Sequence, residues 1–72
     1  MSWNYRVMKR EVSKGEFEFG IYEVFYNDDG SINGWTADSL TPIIDNAEGL
    51  KHEMEIMLKA FEEEVVLYKE DK

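Results

Sequence analysis

Hydrophobic positions in the last third of the chain recur at helical spacing. Leu50, Met54, Met57, Phe61 and Val65 follow one another at steps of four, three, four and four, and Ile56 and Leu58 widen the stripe. Lys51, His52, Glu53, Glu55, Lys59, Glu62 and Glu63 take most of the remaining surface. Asp45 with Glu48 three residues on fits a capping box, so the pattern predicts a helix over about 46–63. Upstream the period changes to two. Trp3, Tyr5 and Val7 alternate with Arg6, Met8 and Arg10, which predicts a strand over about 3–12. A turn at Ser13-Lys14-Gly15 leads into Glu16–Tyr26, a run dense in aromatic and β-branched residues and the strongest strand former of the chain. Asn27-Asp28-Asp29-Gly30 is a turn signature, and a short third strand follows over about 31–36. Pro42 marks the stretch up to Ile44 as a connector. Val65–Tyr68 either prolongs the helix or forms a short extended segment.

These elements predict an α+β fold in a single domain over 1–72: a three-stranded antiparallel meander packed by one C-terminal helix. The second strand changes phase along its length. Phe17, Phe19, Ile21 and Phe25 share one parity, whereas Tyr22, Val24 and Tyr26 share the other. Either a bulge at Gly20 shifts the register, or the strand is apolar on both faces, with the helix on one and another subunit on the other.

Composition narrows the choice of function classes. A chain of 72 residues is near the lower limit of unaided folding, and with no cysteine it has neither disulfide nor thiolate. Self-association is then the simplest further source of stability, and a homodimer is expected. No apolar run is long enough to span a membrane and no signal-peptide pattern opens the chain, so the expected location is cytoplasmic and no membrane partner is expected. Sixteen acids against eight bases give a formal charge of −8, which repels a phosphate backbone. No nucleic-acid partner is therefore expected, and a basic protein is the heterologous partner that the charge suggests.

Candidate chemistry is sparse. With Asp29 at position 1, Asp29, Ser31 and Asn33 place oxygen ligands at 1, 3 and 5 of a calcium-type loop, with Gly34 at 6. Position 12 is Leu40, where a bidentate glutamate belongs, and the flanks read as strands. Glu23, in the most apolar strand, either faces inward or pairs across the sheet with Arg6 or Arg10. His52 points away from the apolar stripe, and no serine has a base at a recognisable spacing. No catalytic residue, cofactor site or enzymatic activity is expected.

The order GIYEVFYNDDGSINGW, a proline connector and LKHEMEIMLKAF resembles a group of small uncharacterised bacterial proteins in which an EVYYDEDG…GW hairpin precedes an LELMLKA-type helix. That resemblance covers Ile21 to Phe61 and implies a fold but no activity. The strand–strand–strand–helix order is also similar in topology to HicB-type antitoxins, which neutralise a small basic RNase. The glycine-rich turn of that family is replaced here by Ser39-Leu40-Thr41-Pro42. The leading expectation is a non-catalytic, self-associating interaction domain whose surface uses Phe17, Phe19, Ile21, Phe25 and Trp35. The alternative is a small metal- or ligand-binding protein using the Asp29–Asn33 turn or a pocket between helix and sheet.

Overall fold

The computed structural model describes residues 2–70. Two long strands dominate it. β1 (Ser2–Ser13) and β2 (Glu16–Tyr26) form an antiparallel hairpin whose register runs unbroken from Ser2 opposite Tyr26 to Glu11 opposite Phe17. The one irregularity lies beside the turn, between Glu11 and Ser13. β3 (Ile32–Trp35) pairs antiparallel with the end of β2. The sheet has a fourth member that the sequence left undecided. β4 (Val66–Leu67) pairs parallel with β1 at Met8 and Lys9, giving the order β3-β2-β1-β4. The expected three-stranded antiparallel meander is thus the larger part of a four-stranded mixed sheet, and the fold is α+β.

The phase change of β2 does not arise from a bulge at Gly20, because Met8 stands opposite Gly20 in continuous register. Glycine is required there for another reason. A Cβ at this position would lie 2.9 Å from Ser39 Cβ, where the connector crosses the strand. β2 is therefore apolar on both faces, as its parity sets indicate. Trp3, Tyr5, Val7, Phe17, Phe19, Ile21 and Phe25 share one face, since cross-strand partners lie on the same side of a sheet. Met8, Tyr22, Val24 and Tyr26 share the other with Trp35 and Val66.

α1 (Ala47–Leu58) lies over the first face and continues into one 3-10 turn, Lys59–Glu62. Its N-cap is Asn46, one residue after the expected Asp45. Asn46 Oδ1 accepts a hydrogen bond from Gly49 N at 2.6 Å, and its N3 position is a glycine that cannot complete a capping box. The helix also ends before the expected 63. Three glutamates in a row, Glu62–Glu64, would sit at the negative end of the helix dipole, and Glu63 turns to extended backbone.

The rotation of α1 departs from the expected stripe. The residues turned toward the sheet are Glu53, Ile56, Met57 and Ala60, and of these only Met57 and Ala60 are fully buried. Leu50, Met54, Leu58 and Phe61 are exposed. At about 100° per residue, that exposed file lies roughly a quarter to a third of a turn round from the inward one. Gly49 packs against the connector, for a Cβ there would come 2.8 Å from Ile44 Cγ2.

Candidate interaction surface

The two faces of the sheet are closed in different ways. Met8 and Val24 are completely buried although no helix covers their face. The chain's own aromatics form the lid: Trp35 and Tyr22 lie 5.6 and 5.5 Å, centroid to centroid, from Tyr68, which follows β4 directly. Tyr68 donates its hydroxyl to Ala37 O at 3.0 Å, and its N–H to Lys9 O at 2.8 Å. Arg10 stacks over the Tyr68 ring at 4.3 Å and pairs with Glu70 at 2.9 Å. Arg6 donates to Tyr26 Oη at 2.9 Å and to Glu64 O at 2.6 Å, pinning the segment that leads into β4. The face that no helix covers is filled from within.

The helix-covered face is the incomplete one. Every residue from Glu11 to Phe19 is exposed, because the outer half of the β1–β2 hairpin reaches beyond α1 as a two-stranded arm. Phe19 is 63% exposed, and Phe17 sits beside it under the ammonium group of Lys9, 4.3 Å from the ring centroid. At the base of the arm a groove of about 310 Å³ runs between sheet and helix. Ile21 and Leu40 lie in it with Met54, Leu58 and Phe61 of the helix flank. Leu58 and Phe61 are 58% and 65% exposed. Apolar side chains of arm, groove and helix flank are thus exposed along one side of the molecule.

Of the five residues expected to form the interaction surface, Phe17 and Phe19 lie on the arm, and Ile21 lies in the groove at its base. Phe25 is half-buried at the far end of the same face, opposite Trp3. Trp35 is separated from the others, on the opposite face and packed against Tyr68. Met54, Leu58 and Phe61 belong to the surface although their spacing places them in a helical core stripe. The signal that separates them is Glu53 and Ala60, a polar and a small residue on the side that meets the sheet.

The remaining candidates have local explanations. Asp29 Oδ1 accepts from both Ser31 N (2.9 Å) and Ser31 Oγ (2.6 Å), and these hydrogen bonds hold its pKa below the usual carboxylate range. These hydrogen bonds close the turn between β2 and β3. Among the described residues no group of three or more His, Cys, Asp or Glu side chains is placed to hold a metal ion. Glu23 stands opposite Tyr5 on the helix-covered face, so parity keeps it from Arg6 and Arg10. His52 is exposed. No helix is long and apolar enough to cross a membrane among the described residues.

One polar contact does cross from sheet to helix. Tyr5 Oη donates to Glu53 Oε2 at 2.5 Å. This bond to a carboxylate, with burial and the charges of Glu53 and Glu23, raises the phenol pKa to about 12. The raised value favours the folded state at pH values below the ordinary phenol value of about 10, and the advantage disappears as pH climbs through 12. An ultraviolet titration should therefore resolve one of the four tyrosines as late-ionising. Glu53→Gln should bring that step back toward 10, and Tyr5→Phe should delete it; an unchanged late step in either variant would place it on another tyrosine.

No family model matches the chain, and no curated protein or solved structure is significantly similar to it.

Proposed function

We propose that this chain is a non-catalytic protein-interaction domain, and that its docking surface is the apolar side formed by the hairpin arm and the flank of α1. The observation that carries this reading is the rotation of α1, which leaves Leu50, Met54, Leu58 and Phe61 outside while Ile56, Met57 and Ala60 face the sheet. Large apolar side chains grouped on one side of a small domain mark a contact site far more often than a solvated surface. The opposite face supports the same assignment by contrast, since its aromatics are used up in covering Met8 and Val24. The docking reading needs no titratable cluster, metal or nucleophile.

Hydroxyl-radical footprinting tests this. In dilute isolated protein, Met54, Phe61 and Phe19 should be modified quickly, and Met8 and Met57 slowly. In cells that make the protein, Met54, Phe61 and Phe19 should be protected at least several-fold relative to the isolated protein. Equal reactivity inside and outside the cell would remove the interaction reading.

A further inference from the structure

We propose that a cavity on the other flank of the helix binds a quaternary ammonium group, the trimethylammonium head of a small molecule or of a methylated lysine side chain. This site is separate from the docking surface, and neither reading depends on the other. The cavity, about 370 Å³, lies where the start of β1 meets the end of the helix. That volume is within the range of small-ligand pockets. Two of its walls are aromatic. Trp3 and Tyr5, two residues apart on β1, share one face of the sheet, and their rings meet at 85° with centroids 5.2 Å apart. Ile56 and Ala60 supply alkyl surface from the helix side. Trp3 is 51% exposed, so the protein's own residues leave half of this large side chain uncovered.

The angle between the rings selects the shape of the guest. A planar guanidinium stacks on one ring, as Arg10 does on Tyr68, and a slot between parallel rings would suit it best. A right-angled corner instead meets a rounded head on two sides. The walls also select against a primary ammonium, whose three N–H donors each need an acceptor. Inside the corner those donors find ring and alkyl surface, and the Tyr5 hydroxyl is already engaged with Glu53. N-methyl groups spread the positive charge over a surface that needs no acceptor and lies well against π-faces.

Charge supplies the sign. Among the described residues that line the cavity, Glu62 and Glu63 are acidic and Lys59 is the one base. Glu53 adds a carboxylate against the Tyr5 hydroxyl, and Glu23 stands opposite Tyr5 on the neighbouring strand. Tyr5 registers the resulting field: the hydrogen bond to Glu53, burial, and the charges of Glu53 and Glu23 hold its phenol up at about 12. The same carboxylates attract a cation beside the ring and repel an anion. An uncharged guest of the same shape would gain only apolar contact.

The experiment is a titration of the full chain with choline, read from its backbone and indole N–H signals by nuclear magnetic resonance. A parallel titration uses the uncharged isostere in which a tert-butyl group replaces the trimethylammonium head. Choline should shift the Trp3 indole and the backbone N–H signals of 59–63 saturably, half-complete at about 1 mM, and leave the Trp35 indole in place. The isostere should bind roughly 10-fold more weakly. Trp3→Leu keeps apolar bulk at an exposed position but removes the ring, and should weaken choline binding roughly 10-fold. Lys59→Gln removes the competing cation and should tighten binding about threefold, a gain that loss of the fold cannot produce. A short peptide carrying one trimethyl-lysine, set against its unmodified form, distinguishes the sources. Tighter binding of the modified peptide than of choline assigns the site to a protein side chain, and the reverse order assigns it to a free small cation. Equal affinity for choline and its isostere, or for the two peptides, would overturn the proposal. So would shifts confined to Trp35, the absence of any saturable shift, unaltered affinity in Trp3→Leu, or affinity in Lys59→Gln that fails to rise.

Discussion

Replacing Met8 with alanine is expected to lower the unfolding free energy by about 2–5 kcal/mol, the range for removing most of a fully buried methionine. A domain of this length has roughly 4–11 kcal/mol in total, so the loss is a large share of its stability. Met8 has no exposed surface and meets Val24 and Tyr22 from the neighbouring strand, where little can move in to fill the space. Met8→Leu, which nearly conserves volume, should cost less than about 1.5 kcal/mol. Leu58→Ala is the informative counterpart. It deletes a similar amount of side chain from the stripe that spacing alone assigns to the core, yet Leu58 is 58% exposed and the monomer should lose no more than about 0.5 kcal/mol. Urea unfolding of the three variants in dilute solution measures this. A cost at Leu58 equal to that at Met8 would mean that the helix seats its large side chains after all.

Tyr68→Ala should have the next largest effect, about 3 kcal/mol, although the residue is only half-buried and the segment that carries it makes just two ladder pairs. Its ring is shared by Trp35, Tyr22 and Arg10, so one deletion removes the centre of the lid over Met8 and Val24. Tyr68→Phe keeps the ring and loses only the hydrogen bond to Ala37 O, a change of about 1 kcal/mol. Trp35 is the built-in reporter once Trp3 is replaced by phenylalanine. Its emission should shift to the red in Tyr68→Ala before global unfolding, and stay in place in Tyr68→Phe. A red shift of equal size in both would mean that the hydroxyl, and not the ring, holds the lid.

Most of the architecture was legible in the periodicities. The alternation of Trp3, Tyr5 and Val7 with Arg6, Met8 and Arg10 assigns the faces of β1 as they occur. The Asn27–Gly30 signature sits where β2 turns toward β3. The ends of elements were less legible because they depend on competition between neighbours. Asn46 displaced Asp45 as N-cap, and the Glu62–Glu64 run stopped the helix early. β4 escaped the pattern because two residues carry no period, and its partner Met8 lies far away in sequence. The surface was legible only in part. Spacing shows that Leu50, Met54, Leu58 and Phe61 share a side of a helix, but not which side faces the sheet. That side is marked by a residue with little hydrophobic signal, Glu53, which bonds Tyr5. Trp35 shows the same limit in reverse, as its parity with Val24, and not its size, decides that it covers a core.

The parallel pairing of Val66 with Met8 also orders events on the ribosome. The β1–β2 hairpin and β3 can pair with one another once Trp35 has emerged, while α1 is still being made. Met8 and Val24 cannot be shut away at that stage, because Tyr68 has not yet been translated. Until then the nascent chain presents an aromatic sheet face open to water, in a form that chaperones hold and proteases recognise. Tyr68 therefore acts as the completion mark for this face of the sheet. A chain interrupted between α1 and Tyr68 would display the same open face permanently, and would be open to clearance before it reached any partner.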